Sequence, residues 1–197
     1  MRSALILLGG MATRAEGKPK YLFRYQGRTF LDWQIQTLLP LIDEIVLSCR
    51  DDEQCHEIEY LGVPFVTDIR KGTGPTAGIH AGSTKIQGDL VFITACDMPL
   101  IQSAVVEFLF GVIGDADVAV PIREDGKVEP LHAVYRRDAL VQYFATSTSR
   151  RMNEISKNLK TIYVPIESIQ RYDPRLLTFT NINDLDSLRY LQEEKKD

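Results

Sequence analysis

The sequence predicts a three-layer α/β/α fold, a mostly parallel sheet with helices on both faces, and three observations lead there. Short apolar runs rich in Val, Ile and Leu recur along the chain, segments with helical apolar spacing lie between them, and no linker or fixed-period repeat breaks the alternation. At 197 residues and 44% hydrophobic content the chain is long enough for one well-covered core and short for two, so residues 1–197 read as a single domain.

The first run, residues 3–8, belongs to "MRSALILLGG". Its apolar stretch is too short for a secretory signal and enters a glycine loop rather than a small-residue cleavage site, so it reads as the first buried strand. Further strands are expected at 44–48, 63–66, 90–95, 118–121 and 161–164, with helices at 30–39, 74–84, 103–112 and 137–145. Ser103 is the expected cap of the third of these helices. The chain ends in "NINDLDSLRYLQEEKKD", where an Asn-Asp start signal and Leu185, Leu188 and Leu191 at helical spacing predict a docked helix followed by a solvated charged tail.

Composition excludes several function classes. Lys and Arg total 23 against 27 Asp and Glu, a formal charge of −4, which supplies no broad basic field for nucleic acid. No apolar run approaches the roughly 18 residues of a membrane span. Cys49, Cys55 and Cys96 are odd in number and lack C-x-x-C spacing, which disfavours a disulfide framework or a structural zinc and points to the cytoplasm. Cys55 and His56 lie in a polar, helical stretch and read as surface residues.

Three stretches carry chemistry. In "LLGGMATRAEGKPKYL", Gly9 and Gly10 follow the first strand and free backbone N–H groups for phosphate oxygens, while Arg14 and Lys20 add positive charge, with Lys18 a competitor for the same role. The loop is neither a P-loop nor a G-x-G-x-x-G fingerprint, and taken alone an ordinary strand-to-helix turn with solvated charges explains it equally well. In "VFITACDMPLI", Asp97 stands at the carboxyl end of a strand and Pro99 turns the chain away; with phosphates between it and the glycine loop, Asp97 is placed to hold Mg²⁺. In "TDIRKGTGPTAGIHAG", Asp68 and the Arg70-Lys71 pair precede a helix whose Gly74, Ala77, Gly78, Ala81 and Gly82 are best explained by close packing.

These motifs, together with "EPLHAVY" and "FTNIND" and in this order, resemble the molybdenum cofactor guanylyltransferases, within the wider nucleotidyltransferases that share a Rossmann-like sheet of the nucleotide-diphospho-sugar transferase type. The resemblance covers nearly the whole chain. It implies transfer of GMP from GTP to the phosphate of molybdopterin cofactor with Mg²⁺, and release of pyrophosphate. It implies nucleotide contacts at Leu8, Gly9, Gly10 and Asp68, phosphate contact at Lys20, and nucleotide and metal contact at Asp97. Arg14 matches the family's loop arginine, and Asn181 and Asn183 match its late Asn pair on the acceptor side. Arg14 is followed here by "AEGKPKYL" rather than an Asp-Lys pair, as in sugar and cytidylyl relatives, and "LSCRDD" after the second strand carries no assigned base-reading role.

Catalysis of this kind needs an aligned phosphate nucleophile and stabilised charge, which the glycine amides, Arg14, Lys20 and Asp97 with Mg²⁺ would supply. Residues 1–100 form the expected nucleotide half. Residues 101–197 form the acceptor half, where Glu129, His132, Asn181 and Asn183 are the candidate acceptor contacts, although a buried core role is the commoner one for a lone His132. GTP and molybdopterin are the expected partners, with room for transient contact with proteins that deliver or accept the cofactor. Transfer from CTP or another nucleotide to molybdopterin or a phosphorylated small molecule is the nearest alternative, and a non-catalytic nucleotide-binding regulator the alternative of another class.

Overall fold

Side-chain alternation along the first strand sets the architecture. In the computed structural model, which describes residues 1–9, 19–68, 74–147, 149 and 151–182, β1 (Arg2–Leu7) sends Ala4 and Ile6, with Leu8 just beyond, into one apolar cluster and Leu5 and Leu7 into another. A strand buried on both faces has no room for polar alternation, and this is why it reads as a continuous apolar run.

A small hairpin of β2 (Arg24–Tyr25) and β3 (Arg28–Thr29) leads into α1 (Phe30–Leu38). Thr29 caps α1: its hydroxyl accepts from Asp32 N at 3.0 Å while the Asp32 carboxylate accepts from Thr29 N, an exchange that stabilises by about 1 kcal/mol. Then follow β4 (Glu44–Cys49), α2 (Asp52–Ile58), β5 (Phe65–Thr67), α3 (Pro75–Lys85), β6 (Leu90–Ala95) and α4 (Ser103–Val112). The remainder comprises β7 (Val118–Ile122), β8 (His132–Arg136), α5 (Arg137–Thr146), α6 (Met152–Asn158), β9 (Thr161–Pro165) and α7 (Ile166–Ile169).

Among the described residues the main sheet has seven strands in the order β5-β4-β1-β6-β8-β7-β9. The pairs from β5 to β6 are parallel, β8 is antiparallel to both neighbours, and β9 returns parallel to β7. Apolar residues of α1, α2, α4 and α7 pack on one face and those of α3, α5 and α6 on the other, which makes the three layers. The chain moves outward from β1 through β4 to β5, and then returns to β6 on the opposite side of β1. That reversal opens a crevice at the strands' carboxyl ends.

Helix α3 lies close to the sheet because its glycines permit it. A Cβ on Gly78 would stand 3.0 Å from Leu7 Cδ2 and would clash with Ser48 Oγ, and one on Gly82 would clash with the Leu5 side chain. The packing expected for this small-residue helix is therefore present.

Several elements differ from expectation. The strand expected at 63–66 is β5, Phe65–Thr67. The Ser103 helix begins where expected, but Gln102 occupies the cap position without a side-chain bond and Ser103 is the first helical residue. Cys55 is not at the surface. It is 1% exposed on the inner face of α2, whose outer face carries the exposed His56. The strand β8 lies in a stretch read only as acceptor-binding. The terminal helix expected after Asn181 falls on residues 183–197, outside the described residues.

Candidate active site

The site is built where β1 and β6 end side by side. Leu7 pairs with Ala95, and Cys96 N donates to Leu7 O at 3.0 Å, so Leu8 and Gly9 lie next to Cys96 and Asp97. The next strand outward is tied in as well, since Leu8 N donates to Ser48 O at 2.9 Å. From the far side, β8 arrives antiparallel with His132 opposite Thr94, which carries Glu129, Pro130 and Leu131 to the same edge. Last, Ile182 N donates to Asp97 O at 2.8 Å and brings Asn181 in.

These ends enclose a cleft of about 680 Å³, lined by Leu8, Gly9, Lys20, Asp97, Glu129 and Asn181 among others. Lys20 Nζ lies 3.2 Å from Asp97 Oδ2, with each side chain 25% exposed, so the pair is half sheltered yet open to a ligand. Pro75, the first residue of α3, also reaches the cleft and turns the positive end of that helix toward it. Ammonium and helix end together favour a polyanion beside a carboxylate.

Asp68 follows β5 and approaches the cleft from behind Gly9, where a Cβ on the glycine would stand 3.9 Å from Asp68 Oδ2. It accepts a hydrogen bond from Ser48 Oγ at 3.2 Å. Burial pushes its carboxyl above the usual range, the Ser48 bond opposes that shift, and the Asp51 charge adds to it. The thiols nearby are held protonated: burial raises Cys49 and Cys55 and pushes Cys96 up to about 12, so none is poised as a nucleophile.

Leu8, Gly9, Lys20, Asp97, Glu129 and Asn181 are thus brought together, with Asp68 adjacent. Gly10, Arg14, Lys18, Arg70, Lys71 and Asn183 lie outside the described residues. His132 requires a correction as an acceptor contact. It is fully buried, its Nε2 pairs with Thr178 Oγ1 at 2.9 Å, and Phe92 and Phe179 meet its ring edge to face. Burial lowers it to about 3, which keeps it neutral in the core.

Sequence reading missed two groups of cleft residues and one buried residue beneath them. On α2, Gln54 donates from Nε2 to Leu8 O at 3.2 Å and accepts from Arg50 N at 2.7 Å, bracing the end of β1. Glu57 accepts from Tyr21 OH at 2.6 Å and, with Arg50 and Glu53, forms a charged wall. Gln34 lies beneath the Asp97 turn. Its signal was present in the sequence: a polar residue inside the buried stripe Phe30, Leu31, Gln34, Leu38 of α1.

Comparison with known proteins agrees with this geometry. The chain is 32% identical to a probable molybdenum cofactor guanylyltransferase of Methanosarcina acetivorans, covering 95% of this chain and 88% of that one. It is 31% identical to the protein so named in Bacillus subtilis, covering 98% and 96%. The crystal structure of molybdopterin-guanine dinucleotide biosynthesis protein A from Archaeoglobus fulgidus superposes with a TM-score of 0.81 at 28% identity, over 100% of this chain and 99% of that one. A nucleotidyl transferase from Methanothermobacter, at 17% identity and a TM-score of 0.74, shares the fold. The model of the MobA-like NTP transferase domain matches residues 4–162, and the chain belongs to that family.

Proposed function

We propose that this protein transfers GMP from GTP to the phosphate of molybdopterin cofactor, releasing pyrophosphate. The observation that carries the reading is the Lys20–Asp97 pair facing Gly9 across one cleft in a chain of this family. The names of the relatives supply the donor and acceptor. The free thiols and the lack, among the described residues, of a helix long and apolar enough to cross a membrane support a cytoplasmic enzyme.

Mg²⁺ fits the donor set. Among the described residues no group of three His, Cys, Asp or Glu side chains could cage a metal. Asp97 beside the strand ends suits a cation that takes one or two carboxylates and completes its shell with phosphate oxygens and water. Asp97 would hold the ion, which when bound would neutralise phosphate charge and polarise the phosphorus under attack.

The chain's own groups do the rest. Lys20 draws the triphosphate into the cleft and offsets charge that grows on the leaving pyrophosphate. The α3 amino terminus adds the positive end of its dipole. An oxygen of the acceptor phosphate forms a bond to the α-phosphorus as the bond to the β-phosphate bridging oxygen breaks, and the electron pair leaves with pyrophosphate. Glu129 and Asn181, from the carboxyl-terminal half, would align the acceptor, since the reaction demands in-line approach more than covalent help. The test supplies GTP or CTP with molybdopterin and Mg²⁺: pyrophosphate and a guanine dinucleotide should form with GTP, and turnover with CTP alone would overturn the assignment.

A further inference from the structure

The turn that carries Asp97 is clamped from below. Gln34 on α1 is fully buried, and its Nε2 donates to Ala95 O at 2.7 Å and to Met98 O at 2.9 Å, the two residues that bracket Cys96 and Asp97. The turn closes on itself through Met98 N to Ala95 O at 3.2 Å, and Ile182 N holds the carbonyl of Asp97 itself. Among the described residues Gln34 Oε1 has no partner. An amide with an orphaned acceptor is a poor space-filler, because an apolar side chain of similar volume would avoid the desolvation cost. What only the amide provides is two fixed donors to the turn.

We propose that Gln34 is a positioning residue for the transfer reaction: by holding the carbonyls of Ala95 and Met98 it fixes the turn that aims the Asp97 carboxylate into the cleft. The proposal rests on the reading of Asp97 as a group that meets the nucleotide. Gln34 touches no substrate. Its loss should therefore fall on the rate of the step rather than on capture of GTP, and misplacement of a reacting group by about 1 Å can cost on the order of 100-fold.

The test compares Gln34→Leu, Gln34→Glu and Asp97→Asn in one guanylyl-transfer assay, with melting temperatures recorded alongside. Gln34→Leu removes both donors, and its kcat should fall about 10-fold or more while KM for GTP stays within about two-fold. In Gln34→Glu burial raises the introduced carboxyl, and only its protonated form can donate, so the ratio of its kcat to that of the unaltered enzyme should climb as pH is lowered. A role in packing alone would lower the melting temperature of both variants, leave kcat per folded molecule unchanged and give a ratio flat with pH; that result overturns the proposal. Should Gln34→Leu not fold, the pH dependence of Gln34→Glu decides alone. Full activity in Asp97→Asn would instead overturn the reading of Asp97, whereas loss there with unaffected Gln34 variants overturns only the role of Gln34.

Discussion

In the half of the sheet formed by β5, β4, β1 and β6 the strands run parallel and bring their carboxyl ends to the cleft, whereas β8, which begins the other half, runs the opposite way and brings its amino end there. The two halves therefore present functional residues at opposite positions in the sequence. In the parallel half residues just after a strand line the cleft, as Gly9 and Asp97 do, with Asp68 behind Gly9. In the mixed half the residues just before the strand do so, and Glu129 lines the cleft while His132, inside β8, is buried. Direction separates a cleft-lining residue from a core residue three positions away.

The sharpest way to break this comparison is Asp97→Asn. The amide keeps the shape but loses the charge that Lys20 and a hard cation need, so kcat for transfer should fall by about 100-fold or more while the partly exposed site leaves the fold intact. Near-normal turnover at limiting Mg²⁺ would remove Asp97 from the metal site. Lys20→Ala should come next: loss of one charge-assisted contact to phosphate, about 1.5–3 kcal/mol, should weaken GTP binding on the order of 10- to 100-fold, measurable by titration. An unchanged affinity would return Lys20 to the role of a surface partner of Asp97.

A smaller effect is expected at the close contact behind the cleft. Gly78→Ala would force its new Cβ against Ser48 and to 3.2 Å from Asp68 Oδ1, so denaturant unfolding should show a loss of about 1–3 kcal/mol together with weaker GTP binding. Stability unaltered by the substitution would mean that α3 is free to shift.

On the mixed side, His132→Phe should leave transfer at pH 7.5 within about two-fold, because the ring reaches no ligand. The pH dependence carries the signature. The unfolded chain binds a proton near the ordinary value of 6.5 and the folded chain only near 3, so stability is full above about 6.5 and is lost as pH falls between those values. His132→Phe should lose less stability across that window than the unaltered protein. Loss of transfer at neutral pH in a folded His132→Phe would restore the residue to the acceptor site.

The parallel half was the more legible in the sequence for a physical reason. Strands buried on both faces read as unbroken apolar runs, and 90–95 was found at its observed limits, so the turn that carries Asp97 could be located from the run alone. In the antiparallel β8 only five residues, beginning with a histidine and ending with an arginine, form the strand, and apolar content did not reveal it. The buried position of Cys55 was hidden by the charged residues around it on α2. Gln34 and Gln54 were missed because both act through backbone carbonyls of distant segments, and pairings of 46 to 64 residues' separation leave no local pattern.

The most direct test of the division between the halves is a paired measurement on one preparation of Asn181→Ala, with GTP affinity by titration and guanylyl transfer to molybdopterin by product formation. Asn181 lines the cleft next to the backbone bond between Ile182 and Asp97, on the side assigned to the acceptor. GTP affinity within about two-fold of the unaltered protein, with transfer slowed about 10-fold or more, is the predicted result, since only alignment of the attacking phosphate is disturbed. A parallel loss of both, or of neither, would contradict the account.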